Sequence, residues 1–574
     1  MEYSLIKPIN PEYTALQQVL TNRGMVFNDI DHYLNVTEKD NLSPLLLNNI
    51  EKAAIMLIKH IGLEGNTIVV QVDSDYDGYS SSALLLNYIH ARFPSAIGKF
   101  VYNLHEKKVH GIDMDKIPKN TTLVIAPDSS SNEEEKHQEL KEKNIDVLVL
   151  DHHIAPRVSP YACVVNNQLC DYPTKSLCGG GIVYKLCQYI DSLFGDNLVE
   201  DYVDIVATSL IGDMMDLRDF ETHYLVQKGL ANFRNPFLRG MADKNSYSLG
   251  NELTPIGVAF YIVPLVNAIT RVGTMEEKMV LFESMLEWKS YELIPSTKRG
   301  CKGKQETRLE QSLRTCSNVK NRQTRDQDSA TEQIESIIKD QNLLKHKILL
   351  ICLENPSYDR GITGLIANKL MAKYQRPVCL LSKGEDKTWS GSMRACGVED
   401  FRSFCEDSGL VEYCQGHPSA AGISIHESKL STFIDYCDNR FANKDFSPEY
   451  KVDFICSTST LDPSIILDLG EVKYLYGQEI SEPLIAVENL NVTKEMISLM
   501  SRDKNPTLKI QLPNGVSCIK FKSSEEEYES LFSDEGCVTI NLVGKPEVNK
   551  YFSNVTPQIL IQDYEIVNKQ EFYF

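Results

Sequence analysis

Short apolar runs alternate with amphipathic helical segments from Thr67 onward, and this alternation constrains the fold more than any other feature. Strands are predicted at 67–72, 99–102, 122–126, 146–150 and 162–165, with helices such as 80–91 and 131–143 between them. Strands alternating with helices of this length form βαβ units around a parallel sheet. We therefore predict an α/β domain over 61–290, with further helices at 181–194 and 201–211.

The rest of the chain divides into four further predicted regions. Residues 1–60 are predicted to be helical, and 291–343 to be a basic connector that becomes a helix from about Asp328. A second α/β pattern fills 344–440, with strands at 347–353, 377–382 and 388–394 and a helix at 361–374. Short strands with turn signals over 441–574 predict a small antiparallel barrel or sandwich. The predicted fold class is thus two α/β lobes joined by a linker helix, followed by a small β-barrel.

Composition narrows the class of protein. No run of 18 uncharged apolar residues occurs, so no membrane span is expected, and the fifteen cysteines form no CxxC pair, which favours reduced thiols in the cytoplasm. The formal net charge of −20 opposes nucleic-acid binding, which depends on neutralising phosphates. From Lys298 to Arg325, however, nine Lys and Arg stand against two Glu, a local charge of +7. That segment is either a solvated linker or a local basic surface.

Acidic and imidazole side chains follow the ends of four apolar runs. Asp73, Asp75 and Asp77 follow the strand at 67–72, Asp128 follows that at 122–126, and Asp151-His152-His153 follows that at 146–150. The fourth, Asp213, ends an apolar helix, where the helix dipole disfavours a carboxylate. Taken singly, each has an ordinary explanation as a turn, a helix cap or a hydrogen-bonded core histidine.

Taken together, these side chains are expected to lie close to one another in the folded protein. The carboxyl ends of strands in an open α/β sheet meet at one edge, so the clusters are expected to converge there. Carboxylates with two imidazoles suit a two-metal centre that activates water for in-line phosphoryl displacement. A closed, tetrahedral structural metal site is the alternative, and the number of carboxylates disfavours it.

At this point the chain resembles the DHH phosphoesterase superfamily, and within it the RecJ-like single-stranded-DNA exonucleases. Asp73-Ser74-Asp75-Tyr76-Asp77-Gly78 resembles the first motif, with the Tyr moved by one gap, and Asp128 and Asp151-His152-His153 match the second and third. Gly212-Asp213 matches the fourth, where the family has Ala-Asp. In the second lobe, Gly391-Ser392-Met393-Arg394 and Gln415-Gly416-His417 resemble the motifs of the DHH-associated C-terminal domain. The segment from Tyr476 resembles the RecJ OB-fold region.

The resemblance implies roles for particular residues. The implied catalytic set adds Asp151 to six metal ligands, which are Asp75, Asp77, Asp128, His152, His153 and Asp213. Asp73 would be an accessory carboxylate. Two Mn²⁺ or Mg²⁺ ions are the implied cofactors, in agreement with the oxygen-rich set. Ser392, Arg394, Gly416 and His417 would bind substrate phosphate, and Arg322 and Arg325 are candidate strand contacts.

The implied function is 5′→3′ exonucleolytic hydrolysis of single-stranded DNA in repair, recombination or replication. Alternatives are a phosphodiesterase for oligoribonucleotides or cyclic dinucleotides, and an inactive replication scaffold. The β-barrel would hold the strand by charge and aromatic stacking, and the candidates for stacking are Tyr474, Tyr476, Phe521, Tyr551 and Phe552. We further expect a cytoplasmic monomer, in a bacterium or in the host of a virus, that works with a helicase or a single-strand-binding protein.

Overall fold

The computed structural model describes residues 1–107, 109–250, 252–384, 386–447, 449–501, 505–531, 536–551 and 554–571. The N-terminal region was expected to be helical throughout. That expectation is wrong at its start, because the region opens with a strand. Its elements are β1 (Glu2–Leu5), α1 (Ala15–Asn22), α2 (Ile30–Leu34) and α3 (Ile50–Gly62). Helix α1 begins at a capping box in which Thr14 accepts from the backbone N–H of Gln17.

The first lobe is built on the predicted parallel sheet. Its strands are β2 (Thr67–Val72), β3 (Phe100–Leu104), β4 (Thr121–Pro127), β5 (Asp146–Asp151) and β6 (Cys163–Asn166), in the order β3-β2-β4-β5-β6. All four pairings are parallel, and every residue of β2 from Ile68 onward is buried. Burial on both faces explains why these strands are nearly continuous apolar runs.

Within the described residues of this lobe, ten helices cover or extend the sheet. They are α4 (Tyr76–Arg92), α5 (Glu134–Glu142), α6 (Gly179–Phe194), α7 (Val203–Gly212), α8 (Phe220–Leu230), α9 (Pro236–Lys244), α10 (Ser246–Leu249), α11 (Pro255–Tyr261), α12 (Val263–Val272) and α13 (Met275–Met285). Among the described residues, one stretch, Pro255–Val272, is long and apolar enough to span a membrane, and half of it is buried within the protein.

The connector differs from its prediction in two ways. A small antiparallel hairpin, β7 (Leu293–Pro295) and β8 (Gln305–Thr307), comes first. The linker helix α14 (Arg308–Asp340) then starts twenty residues before the predicted Asp328. A capping box between Thr307 and Glu310 starts it, and this signal lies inside the charged run that suggested an irregular linker.

The second lobe also has the predicted α/β character, with one parallel pairing. Its elements are β9 (Leu349–Leu353), α15 (Thr363–Tyr374), β10 (Val378–Lys383), β11 (Thr388–Arg394), α16 (Phe401–Asp407), β12 (Tyr413–His417), β13 (Ala420–His426) and α17 (Leu430–Arg440). The strand order is β12-β13-β11-β10-β9, with β9 and β10 parallel and the other neighbours antiparallel. The C-terminal half of α14 packs through Ala330, Ile334 and Ile338 against the core of this lobe.

The C-terminal region is β-rich, as predicted. Its elements are β14 (Glu449–Val452), β15 (Phe454–Ser457), α18 (Pro463–Glu471), β16 (Ile485–Val492), β17 (Ile497–Met500), β18 (Thr507–Gln511), β19 (Ser517–Phe521), α19 (Glu525–Ser530), β20 (Gly536–Tyr551) and β21 (Asn554–Glu571). Seven strands form one sheet in the order β15-β16-β20-β21-β19-β18-β17. β1 pairs in parallel with β14, which ties the start of the chain to this region.

Candidate metal centre and inter-lobe cleft

His152 is the centre of a carboxylate cluster at the carboxyl edge of the first sheet. Its Nε2 lies 3.2 Å from Asp128 Oδ1, 3.2 Å from Asp213 Oδ2 and 3.9 Å from Asp77 Oδ2. Asp77 and Asp128 are buried, and the Asp213 side chain is 30 % exposed. The four residues come from α4, from the turns after β4 and β5, and from the end of α7, so the sheet brings together the clusters predicted to converge.

Asp77 is fixed by the start of helix α6. Its carboxylate accepts hydrogen bonds from the backbone N–H groups of Gly179 (2.6 Å) and Gly180 (3.0 Å) and from the hydroxyl of Ser209. A Cβ at position 179 would lie 2.5 Å from the Asp128 Cβ, and one at position 180 would lie 2.3 Å from the Ser209 Oγ. The two glycines therefore allow the amino end of the helix to reach the carboxylate, which a helix amino end favours.

Asp151 organises the loop that carries both histidines. It accepts from the backbone N–H groups of Ser131 (2.9 Å), His152 (2.8 Å) and His153 (3.1 Å), and from the His153 Nδ1 (2.8 Å). Both oxygens of Asp151 are thus already bonded within the protein. His153 keeps its Nε2 available, and ligand atoms of Asp128, Asp151, His152 and His153 lie within 4.8 Å of one another.

A second group lies on the other side of the first motif. Asp73 accepts from the His110 Nδ1 (2.6 Å) and from the backbone N–H of Gly111 (3.2 Å). Asp75 caps helix α4 by accepting from the Gly78 N–H (3.1 Å), and ligand atoms of Asp73, Asp75 and His110 also lie within 4.8 Å. Sequence reasoning did not select His110, because it stands in an irregular loop without a motif.

Crowding of like charges shifts the ionisation of this centre. Burial and the neighbouring Asp77 and Asp75 raise the pKa of Asp128 well above its ordinary value. The same causes raise the pKa of Asp213 to about 8. Burial also acts on Asp151, but hydrogen bonds from His153 and Ser131 outweigh it and hold the Asp151 pKa below the ordinary value. The Asp151 hydrogen bond in turn raises the pKa of His153 to about 9. Asp128 and Asp213 therefore resist ionisation unless a cation accompanies them.

The donor set fits a divalent metal ion. Asp128 Oδ1 and His152 Nε2 are buried atoms that lack a hydrogen-bond partner, and they lie 3.2 Å apart. Buried polar atoms are normally satisfied, so an unsatisfied oxygen and an unsatisfied nitrogen in one carboxylate cluster indicate ligands for a cation. The two clusters, one around His152 and one around Asp75, suit a pair of ions.

A cavity of about 700 Å³ lies between the lobes. Its lining comes from both lobes and includes Lys107, Arg271, Arg360, Ser392 and Arg394. Burial lowers the pKa of both Arg271 and Arg394. The positive charge of Arg271 lowers the pKa of Arg394 further, whereas the negative charge of Asp75 partly offsets the effect of burial on Arg271. Among the residues that the structure describes, no carboxylate lies within ion-pair distance of Arg271. Two arginines from opposite lobes thus line one cavity, and Arg271 interacts with the charge of Asp75, an arrangement that suits a phosphate group.

The predicted phosphate-binding residues of the second lobe fall into two places. Ser392 and Arg394 lie on β11 and line the cavity, and Gly364 is closely approached by the Arg394 guanidinium. Gly416 and His417 lie on the edge strand β12, are exposed and do not belong to the described lining. Through β13, His417 is two strands away from Arg394, roughly 10 Å between backbones.

The predicted strand contacts of the connector differ from each other. Arg322 donates to Glu277 (2.9 Å) and to the Val272 carbonyl (3.2 Å), so its guanidinium is already paired, whereas Arg325 is exposed. Of the aromatic candidates in the β-rich region, Tyr476 is buried in the core, and Tyr474 and Phe521 are exposed. The Tyr551 side chain and Phe552 lie outside the described part of the chain.

Sequence reasoning missed the cations that the first lobe contributes to the cavity. Arg271 is the penultimate residue of α12, where a cation is ordinary because it favours the helix dipole. Lys107 stands in a loop. Only the contact between lobes distinguishes these residues from surface charge.

The two α/β lobes face each other across a cleft. The first lobe carries a carboxylate–imidazole cluster, and one arginine from each lobe lines the cavity between them. These features define a DHH-type phosphoesterase. Residues 67–210 match the family model of the DHH family, N-terminal domain, and residues 452–563 match that of the RecJ OB domain. The chain belongs to the RecJ-like branch of the DHH family.

Relatives match along the whole chain. The chain is 35 % identical over 584 residues to a Bacillus subtilis (strain 168) protein with the name "Putative SPbeta prophage-derived single-strand DNA-specific exonuclease YorK", covering 100 % of this chain and 99 % of that one. It is 24 % identical to the single-stranded-DNA-specific exonuclease RecJ of the same organism, over 94 % of this chain and 66 % of that protein. The fold matches the crystal structure of RecJ in complex with Mn²⁺ from Thermus thermophilus, with a TM-score of 0.70 and 19 % identity over 96 % of this chain and 75 % of that one.

Proposed function

We propose that this protein is a metal-dependent exonuclease that hydrolyses phosphodiester bonds of single-stranded DNA. The observation that carries the proposal is the inter-lobe cavity that Arg271 and Arg394 line together, in which Arg271 also lies in the electrostatic field of Asp75. The names of the relatives, which are single-strand DNA-specific exonucleases, support the choice of substrate.

The proposed metal ligands are Asp75, Asp77, Asp128, His152, His153 and Asp213, with Asp73 as an accessory carboxylate. Two Mn²⁺ or Mg²⁺ ions at these residues would supply Lewis-acid activation of water and charge stabilisation. Asp151 acts as a positioning residue, because three of its four hydrogen bonds hold the two histidines and the fourth holds Ser131. His153, whose Nδ1 bonds Asp151, keeps only its Nε2 for a metal ion or a phosphate oxygen.

The rest of the chain binds and orients the strand. Ser392, Arg394 and Arg271 would hold the phosphate next to the scissile bond, since a guanidinium fork matches two phosphate oxygens. Gly416 and His417 would contact the backbone from the exposed edge of the second lobe. Capture of a terminal phosphate in the inter-lobe cavity favours release of mononucleotides from one end, and we propose 5′→3′ polarity.

End-labelled substrates test this proposal. Purified protein with Mn²⁺ should release labelled mononucleotide at once from 5′-labelled single-stranded DNA and only late from 3′-labelled DNA. Asp151→Ala should abolish both signals, because the histidine loop loses its anchor. Internal cleavage products, or full activity in Asp151→Ala, would contradict the assignment. Matched RNA strands in the same assay separate DNA from RNA preference.

A phosphodiesterase for oligoribonucleotides or cyclic dinucleotides remains the second candidate, since both lobes alone suit it. The match of residues 452–563 to the RecJ OB domain favours the exonuclease, because that domain gives a longer strand a surface to bind. An inactive scaffold is disfavoured, because the aspartates of all four motifs are present and converge.

We further propose a cytoplasmic monomer, in a bacterium or in the host of a virus, that acts on strands exposed by a helicase or covered by a single-strand-binding protein. The net charge of −20 supports assisted delivery, because an acidic chain repels free DNA. Co-purification with such partners, and the mass measured in solution, test these points.

A further inference from the structure

The hairpin of the connector, Leu293–Thr307, has a turn built to display cations. Two consecutive reverse turns form its tip, closed by hydrogen bonds from the Cys301 N–H to the Lys298 carbonyl (3.1 Å) and from the Lys304 N–H to the Cys301 carbonyl (3.0 Å). The third position of each turn is a glycine with positive φ, Gly300 (+81°) and Gly303 (+82°). The second positions, which precede these glycines, are therefore equivalent, and both are cationic: Arg299 and Lys302.

The positive charge of the tip is not neutralised. Between Ser296 and Lys304 there are four cations and no acidic residue, and Arg299, Lys302 and Lys304 are exposed. Lys298 approaches Glu306 at 3.3 Å, but that carboxylate is buried and already held by Arg314 at 2.6 Å. No ion pair of Arg299, Lys302 or Lys304 occurs among the described residues.

This is unusual for the surface of this chain, in which Asp and Glu outnumber Lys and Arg by 79 to 59. Several lysines outside the hairpin stand next to a carboxylate, as in the pairs Lys143–Glu139, Lys369–Asp328, Lys373–Glu335, Lys429–Glu412 and Lys451–Glu449. A tip with three unpaired cations therefore concentrates positive potential in an otherwise acidic protein.

An exposed aromatic residue stands at the base of the hairpin. Tyr291, two residues before β7, is 59 % exposed, and the first residue of β7, Leu293, is 62 % exposed. Cations that track a phosphate backbone, combined with an exposed ring on which a base stacks, are the recurring elements of single-strand binding.

The hairpin lies outside the inter-lobe cleft. It ends where α14 begins, and Lys320, twelve residues along that helix, lines a second cavity of about 590 Å³ that shares Arg271 with the first. Twelve helical residues span about 18 Å. A strand with its end in the cavity must extend roughly that far beyond it to reach the hairpin.

We propose that the hairpin is a second binding site for the phosphate backbone of a single strand, separate from the cleft and engaged only by longer strands. This inference rests on the proposed function, since it assumes the same substrate class. It assigns the basic character of the connector mainly to Arg299, Lys302 and Lys304 rather than to the paired Arg322.

Equilibrium binding without hydrolysis tests the proposal. The full-length protein in EDTA is titrated into fluorescent single strands of six and of thirty nucleotides, over a series of salt concentrations. The test variant is Arg299→Gln/Lys302→Gln/Lys304→Gln, in which all three side chains are exposed and unpaired. The matched control is Lys39→Gln/Lys59→Gln/Lys119→Gln, which removes the same charge from exposed lysines elsewhere in the N-terminal region and first lobe.

The test variant should lose about tenfold in affinity for the long strand at low salt, and its salt dependence should weaken by about two units in the log–log slope. The control should keep the wild-type affinity and slope, and the preference for the long over the short strand should shrink in the test variant alone. Tyr291→Ala should weaken long-strand binding with an unchanged slope, because a stacking ring carries no charge.

Wild-type affinity of the test variant for the long strand would overturn the inference and leave the proposed function intact. Equal losses for both strand lengths would overturn it as well, because they would place the effect in the cleft. If the test variant bound both strands like the wild type but no longer bound a polyglutamate peptide, the hairpin would be a site for an acidic protein partner instead. If the wild type itself neither binds the strands nor degrades them with Mn²⁺, the proposed function fails.

Discussion

The ring of Tyr76 occupies the space that a side chain at position 212 would need. A Cβ added to Gly212 would lie 2.6 Å from the Tyr76 Cδ1, and Tyr76 is buried. Both residues are places where the chain departs from the family motifs, the displaced Tyr of the first and the Gly in place of Ala in the fourth. The two departures compensate each other, since a large side chain on α4 requires a bare backbone at the end of α7.

This packing predicts a non-additive pair of substitutions. Gly212→Ala should destabilise the protein by about 1–3 kcal/mol through overpacking and should lower activity, because the next residue is Asp213. In a Tyr76→Ala background the same methyl group should cost far less, since the clash is gone. Urea unfolding of the four proteins measures the coupling. An equal penalty in both backgrounds would show that Tyr76 does not determine the residue at 212.

Asp128→Asn should separate stability from metal binding. Burial and the charges of Asp77 and Asp75 raise the pKa of Asp128, so removing its charge relieves repulsion in the metal-free protein. We expect a higher unfolding temperature than wild type in EDTA. Addition of Mn²⁺ should raise the unfolding temperature of the wild type but hardly that of the variant, because a ligand that binds only the folded state stabilises it.

Ser131→Ala is a suitable control for that experiment. It alters a neighbouring polar residue but leaves the backbone N–H that bonds Asp151, and it should keep the response to Mn²⁺. Equal Mn²⁺ stabilisation of Asp128→Asn and wild type would exclude Asp128 as a ligand.

Arg271→Ala should reduce kcat/KM for single-stranded DNA by roughly 10–100-fold, the loss of one charge-assisted phosphate contact. Most of the loss should appear in KM, and Arg271→Lys should restore only part of it, because a point charge lacks the guanidinium fork. Arg157→Ala, which removes a 71 % exposed arginine of the same lobe, is the matched control. An unchanged KM in Arg271→Ala would remove this residue from the substrate site.

His223 predicts a pH dependence of stability in the first lobe, away from the metal centre. It is buried, its ring stacks on Tyr33 at 3.9 Å, and burial lowers its pKa from 6.5 to about 3. The folded protein then resists protonation that the unfolded chain accepts. Stability is therefore complete above pH 6.5 and falls as the pH drops toward 3, by about 2 kcal/mol at pH 5.

His223→Phe keeps a ring against Tyr33 and cannot titrate. Between pH 7.5 and pH 5, the wild type should lose about 2 kcal/mol of unfolding free energy relative to this variant. His32→Phe, at a half-exposed histidine that stacks on Phe220, is the control. A constant difference across this range would mean that His223 is protonated in the folded protein.

Much of the first lobe could be predicted because its signals are local. The predicted and observed bounds of the strand at 67–72 are identical, and those of the other strands of this sheet differ by one or two residues. Such agreement is possible because a strand buried on both faces is a short continuous apolar run. The start of α14 was misplaced because charged residues hid its capping box, and β1 was missed because its partner β14 lies more than 440 residues away.

The sequence by itself determined that Asp77, Asp128, His152 and Asp213 would meet, because the order of strands and helices in a parallel sheet sends each strand end to the same edge. Only the tertiary structure decided which cations line the cavity between the lobes. Arg271 and Arg394 are 123 positions apart, and docking of the lobes puts both on one cavity while it leaves His417 on an exposed edge. Such contacts depend on how distant segments pack, and no local periodicity records them.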